Sequence, residues 1–251
     1  MDRFAGRRVL VTGAGSGIGR ATVLRLLDEG AAVVAADVSD AGLEETAALG
    51  RRADRLRTRV MDVSDESAVR DGVTAAVSDL GGLDVLVNAA GILRSEHTER
   101  MTLDLWNRVI AVNLTGSFLV TREALPALLA DGAGVVVNFS STSASFAHPY
   151  MAAYAATKGG IQSFTHAVAI EYARRGLRAV CVAPGSIASG MTADPGLPAD
   201  ADMSLFTKLA PALGEGFADP SAVAGVVAML ASDDGAFVTG TELRIDGGTH
   251  M

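Results

Sequence analysis

Seven short runs of β-branched and small apolar residues recur along this 251-residue chain, each parted from the next by a longer segment of helical period. The runs occupy 8–12, 32–37, 55–62, 84–88, 135–140, 178–183 and 242–245, and the helical segments 18–29, 41–49, 65–79, 102–131, 152–174 and 220–232. Stretches such as AAVVAAD and AGVVVNF have no polar face, so both sides of the sheet they form must be covered. Helices on each side of a mostly parallel sheet do this. The chain is therefore expected to be α/β, one doubly wound domain over 1–251 with a seven-stranded, mostly parallel sheet. No Ser/Pro-rich linker, charge block or repeat divides it, and at 49% hydrophobic and 20% charged it can bury a large core.

In such sheets ligands bind beyond the carboxyl ends of the strands. Here those ends read VTGAGSGIG, AADV, MDV, NAAG, NFSS and APGSI. Gly13, Gly15, Gly17 and Gly19 follow the first strand and open the first helix, where bare backbone can turn tightly and present N–H groups to a pyrophosphate. The common G-x-G-x-x-G spacing is not met, because the sixth place holds Ile18 or Arg20, and a Gly-rich turn can also be a mere tight connection. Asp37 ends the second strand, 18 residues beyond Gly19, placed to accept hydrogen bonds from both hydroxyls of an adenosine ribose. It would repel a 2′-phosphate, and no Arg or Lys stands at position 16 or at 36–39 to compensate, so NAD is favoured over NADP. A helix cap is the other use of such an Asp.

The stretch HPYMAAYAATK, residues 148–158, places Tyr150, Tyr154 and Lys158 four apart. A phenol with a pKa of about 10 needs a nearby cation to work as a base near neutrality. Lys158 stands one helical turn from Tyr154. Ser141, at the end of the fifth strand, can donate to an oxyanion. Tyr150 is two turns from the lysine and follows Pro149, which makes it a pocket-wall candidate instead.

Other classes are disfavoured. A net charge of −8 gives no phosphate-tracking surface, so no nucleic-acid partner is expected. The run Arg51, Arg52, Arg55, Arg57, Arg59 reads as a solvated helix end and edge strand. Cys181, the sole cysteine, lies in an apolar run as a core thiol. His97, His148, His166 and His250 lack metal spacing, and no metal is expected. No apolar leader or membrane-spanning stretch is present, which favours a cytoplasmic protein without a membrane partner and leaves the N-x-[ST] matches at Asn113 and Asn138 without a glycosylation role. Residues 186–219, with Pro195, Pro198, Pro211 and four glycines, read as a substrate-binding lid.

TGAGSGIG, Asp37, MDV, NAAG, Asn113, the SS pair whose second member lies thirteen residues before Tyr154 of YAATK, and PGSI occur in this order over essentially the whole chain. Together they resemble the short-chain dehydrogenase/reductase family, whose Rossmann-type fold carries the glycine pattern T-G-x-x-x-G-x-G, met here by Thr12, Gly13, Gly17 and Gly19. The resemblance implies an oxidoreductase acting on a small-molecule secondary alcohol or ketone. It assigns Tyr154 as acid/base, Lys158 as the group that lowers its pKa and binds the nicotinamide ribose, Ser141 as the holder of the substrate oxygen, and Asn113 as the support of a proton-relay water. For the cofactor it implies Gly13 and Ser16, Gly17, Ile18 and Gly19 around the pyrophosphate, Asp37 at the ribose, and Asp62 and Val63 beside the adenine. Asn88, Ala89 and Gly91 form the turn beneath, with Pro184, Gly185, Ile187 and Ser189 on the nicotinamide side. The turn reads NAAG where the family more often has NNAG, and Ser189 stands where the family usually has Thr, with Thr192 as an alternative. Ser143, His148, Tyr150 and Met191 are the substrate-side candidates, and a homotetramer paired through 102–131 and 152–174 is implied. Alternatives are an NADP-linked 3-oxoacyl-thioester reductase and a silent nucleotide-binding protein, although the latter often loses the Ser, Tyr or Lys retained here.

Overall fold

A computed structural model describes residues 2–214 and 216–251. The strands β1 (Arg8–Thr12), β2 (Ala32–Asp37), β3 (Leu56–Val60), β4 (Val85–Asn88), β5 (Val135–Phe139), β6 (Arg178–Pro184) and β7 (Glu242–Ile245) form one sheet in the order β3-β2-β1-β4-β5-β6-β7. Every neighbouring pair is parallel, β6 with β7 included, so the sheet is wholly parallel where the sequence suggested mostly so. The helices are α1 (Gly17–Asp28), α2 (Asp40–Leu49), α3 (Glu66–Leu80), α4 (Leu103–Ile110), α5 (Gly116–Leu128), α6 (Ala152–Tyr172), the four-residue α7 (Gly190–Ala193) and α8 (Pro220–Ala231).

The period of two within each strand divides the core. Val9 and Val11 of β1 pack with Val23 and Leu26 of α1 and Val227 of α8 on one face. Leu10, between them, packs with Val69 of α3, Val120 of α5 and Val168 of α6 on the other. Strand order reverses between β1 and β4, and the crevice at that point opens beyond their carboxyl ends.

The segment expected as one helix over 102–131 is interrupted. Residues Ala111–Thr115 form a π-helical turn between α4 and α5. The turn carries the buried Asn113, whose side chain reaches the backbone of Ile92 and so fastens the helix to the loop after β4. The basic run is dispersed: Arg55 donates to Gly30 O at 2.7 Å and Arg59 pairs with Asp79 at 2.8 Å. The 186–219 segment gains structure from α7, a 3-10 stretch at Met203–Leu209, and a parallel bridge between Ile187 and Ala218.

Beneath the crevice runs a buried polar ladder. Asn88 Nδ2 donates to Thr121 Oγ1 (3.0 Å) and to Asn138 Oδ1 (2.8 Å), and Asn138 Nδ2 donates to Thr165 Oγ1 (2.9 Å). It links α5, β4, β5 and α6, and both asparagines of the N-x-[ST] matches are fully buried. Removing one rung leaves buried partners unpaired. Asn138→Ala is expected to destabilise the fold by about 2–3 kcal/mol, measured as a lower midpoint in urea; a change under about 0.5 kcal/mol, the level of a neutral surface substitution, would show that the ladder is not a fastening.

Candidate active site

The crevice between β1 and β4 is lined by Gly13, Ser16, Gly17, Ile18, Gly19, Asp37, Asp62, Val63, Ala89, Gly91, Ser189 and Met191, twelve residues marked out in the sequence and brought together by the fold. Met61 and Ala90, of the MDV and NAAG motifs, also line it, and Val38, Ile92, Arg108 and Val112, which carried no expectation, complete it.

Two glycines are fixed by contact. A Cβ on Gly13, where φ is +67°, would lie 2.6 Å from the Ala89 carbonyl carbon, and one on Gly19 would lie 2.0 Å from Gly13 O. The T-G-x-x-x-G-x-G spacing thus lets the turn, the first helix and the loop after β4 touch through bare backbone. α1 starts at Ser16, whose side chain makes no capping bond, and its first turn holds no acid. Ser39, Asp65, Thr102 and Asp219, by contrast, cap α2, α3, α4 and α8 with their own side chains. The uncapped end of α1, facing the crevice, suits a diphosphate.

Asp37 is held at the crevice rim by two backbone donors, Gly15 N to Oδ2 (2.9 Å) and Ser39 N to Oδ1 (2.9 Å). Arg20, absent from the sequence argument about cofactor choice because it lies beyond position 16, folds back on this corner. Its guanidinium donates to the carbonyls of Gly15 and Gly42 and to Glu45, which offsets its charge. Asp62 is held below the usual carboxylate range, first by the Ser64 hydroxyl at 2.6 Å. These donors and acceptors fit an adenosine dinucleotide along the crevice.

At the other end the chemistry-bearing groups converge. A methyl group on Gly91 would lie 3.4 Å from Asn113 Oδ1 and 3.8 Å from Lys158 Nζ, so the crevice ends against both. Lys158, buried at 5% exposure, donates from Nζ to Phe139 O at 2.8 Å. Its ammonium lies 5.4 Å from the centre of the half-buried Tyr154 ring. Burial pushes Lys158 down to about 8. It pushes the Tyr154 hydroxyl up to about 12, with the Ser141 hydroxyl pulling the other way. The lowered tyrosine pKa expected from the lysine therefore does not arise from the chain's own groups, because desolvation dominates and favours the neutral form of each. Ser141 Oγ accepts from Ser143 N at 3.2 Å at the start of a 3-10 turn, Thr142–Ala144.

Other expected residues stand elsewhere. Asn88 turns away from the crevice into the buried ladder. Pro184 ends β6, and Gly185 N donates to Ile245 O. Ile187 is buried and opens on a second, apolar cavity with Pro211, Phe217 and Ile245. Ser189 lines the crevice, whereas the Thr192 hydroxyl is spent on Ile187 O at 2.9 Å, which favours Ser189 over Thr192 as the crevice contact. Ser143 Oγ is buried without a partner. His148 Nε2 lies 3.2 Å from Thr142 Oγ1, and burial, aided by nearby His250, lowers it to about 4. Tyr150 reaches the 186–219 segment rather than the crevice, its hydroxyl accepting from Asp202 N. Among the described residues no cluster of three or more His, Cys, Asp or Glu is placed to hold a metal.

A sequence model of the family described as enoyl-(acyl carrier protein) reductase matches residues 13–250. The 3-oxoacyl-(acyl-carrier-protein) reductase FabG of Thermotoga maritima is 39% identical over 250 residues, covering 98% of each chain. Cis-4-hydroxycyclohexanecarboxylate dehydrogenase of Sinomonas cyclohexanicum is 39% identical over 251 residues, again covering 98% of each. Among solved structures, carveol dehydrogenase from Mycobacterium avium in complex with NAD superposes with a TM-score of 0.90 at 29% identity, covering 99% of each chain.

Buried Lys158 gives the site a pH signature. Burial pushes its pKa down to about 8 from the ordinary value of 10.5, so between these values the unfolded chain is expected to bind more protons. Its burial is a cost below pH 8 that disappears as pH rises toward 10.5. Lys158→Met removes that cost, so variant-minus-parent stability should fall by about 3 kcal/mol between pH 7 and 10.5. Urea unfolding across pH measures this, and a pH-independent difference would contradict the buried placement.

Proposed function

The chain belongs to the short-chain dehydrogenase/reductase family, and we propose that it is an NAD-dependent enzyme interconverting a secondary alcohol and its ketone. The observation that carries this reading is the meeting of Ser141, Tyr154, Lys158 and Asn113 at the end of a crevice whose far rim holds Asp37. When bound, the nicotinamide cofactor supplies hydride exchange with the substrate carbon.

The chain's residues handle the proton and the position. Tyr154, pushed up to about 12, keeps its hydroxyl proton at neutral pH and is ready to give it to a developing alkoxide. In the oxidising direction Tyr154 must first pass its own proton to solvent, and the phenolate so formed takes the alcohol's proton, with Lys158 as the neighbouring ionisable group one turn away that favours the phenolate when charged. Ser141 holds the substrate oxygen. Asn113 fixes the loop after β4 against the helix carrying that lysine, through bonds to Ile92 and to Thr157 Oγ1 at 3.2 Å. Asp37 takes the adenosine ribose hydroxyls and disfavours a 2′-phosphate. Ser16 to Gly19 and the α1 terminus hold the pyrophosphate, with Ser189 and Met191 closing over from the lid. Ser143 and His148 flank the substrate end.

A second reading, an NADP-linked 3-oxoacyl-thioester reductase, draws on the Thermotoga relative. Asp37 argues against it, as the carboxylate that a 2′-phosphate would meet at the rim. No helix among the described residues is long and apolar enough to cross a membrane. We also propose a homotetramer paired through α4, α5 and α6, where Phe118 and Ile170 remain 42% and 79% exposed.

Tyr154→Phe is expected to lower turnover of a secondary alcohol by about 10²–10⁴-fold, the range for a lost acid/base group, with unchanged unfolding midpoint; full turnover in the variant would end the mechanism. Titration of both cofactors, followed by nicotinamide absorbance, should favour NADH, and a clear NADPH preference would overturn the role of Asp37. Light scattering at micromolar concentration should give four chains, and a monomer would count against the tetramer.

A further inference from the structure

Tyr150 is the only non-glycine residue with positive φ among the described residues, at 64°. Bulky side chains rarely adopt this conformation, and such residues concentrate where function holds them. It stands two residues before α6, the helix that carries Tyr154 and Lys158.

Its two oxygens both accept hydrogen bonds. The Tyr150 hydroxyl accepts from Asp202 N at 2.8 Å, and its carbonyl accepts from Glu96 N at 2.9 Å. The ring packs edge-on against His97, 4.9 Å between centres, and stacks on Phe206 of the lid at 6.1 Å. Around this hub the loop after β4 clasps the lid. Asp200 lies 3.1 Å from His97 Nε2 and 2.9 Å from Arg100 Nη1, and Ser95 N donates to Pro195 O at 3.2 Å. The Asp200 and Arg100 side chains are more than half exposed, so their ion pair adds little and can open. The Tyr150 hydroxyl joins the backbone of Asp202 to the residues that lead into the helix carrying Tyr154 and Lys158.

We propose that Tyr150 is a positioning residue that sets the closed lid over the substrate end of the crevice, with the Asp200 clasp as its openable partner. This rests on the oxidoreductase reading above. It gives the Tyr150 hydroxyl oxygen to the lid backbone as an acceptor.

The test compares the full-length parent with Tyr150→Phe, Asp200→Asn and the double variant. In Tyr150→Phe, exchange of the Asp202 amide should quicken about tenfold, as for loss of one hydrogen bond, while amides within α6 keep their protection. With a turned-over secondary alcohol, KM should rise about tenfold and kcat change less than about threefold, the pattern of lost binding rather than lost chemistry. Asp200→Asn should shift KM in the same direction, and the double variant should fall short of the product of the singles, since both act on one closed state. Unchanged Asp202 exchange, or a fall in kcat with KM unaltered, overturns the proposal. The exchange measurement decides it even if no alcohol or ketone is turned over, a result that would count against the oxidoreductase reading alone.

Discussion

Four neutral side chains, Thr121, Asn88, Asn138 and Thr165, hold two helices and two central strands in one register. Apolar packing alone is non-directional and would let α6 slide along the sheet by a fraction of a turn. The ladder removes that freedom, because each buried amide must meet a particular hydroxyl. Lys158 then reaches Phe139 O, Ser141 follows two residues later along the same chain, and Tyr154 sits one turn back on the helix. The distances at the site are consequences of this register.

What the sequence makes legible follows from how local each signal is. Strand and helix periodicities act over a few residues, and the sheet, its both-sided covering and the strand-end location of the crevice emerge from them. The ladder is not local: its partners are 33, 50 and 27 residues apart, and only the shared placement of Asn88 and Asn138 near the ends of apolar strands hinted at it. The π turn at Ala111–Thr115 shifts hydrogen bonding without changing residue types, so the 102–131 segment reads as continuous. Tyr150 could be separated from Tyr154 by its distance from Lys158, but its bond to the lid joins segments 52 residues apart. The Arg20 side chain folds back on the corner that holds Asp37, a placement that its position in the sequence does not reveal.

Electrostatics at the site follow from burial more than from pairing. Lys158 and Tyr154 are each driven toward neutrality by desolvation, in opposite directions on the pH scale. A low-dielectric pocket with two such groups responds strongly to any added charge, since little water screens it. Asp37 differs, standing at the rim with its oxygens already bonded to backbone N–H groups.

The missing side-chain cap on α1 has a thermodynamic meaning. Most helices here meet their first N–H groups from within the chain, whereas α1 leaves them to whatever occupies the crevice. A diphosphate held there, as proposed above, would couple the protein's resistance to heat by mass action to the concentration of that ligand. A ligand at a hundred times its dissociation constant adds about 2.7 kcal/mol to the folded state. Without it, the same chain would sit nearer its unfolding threshold by that amount.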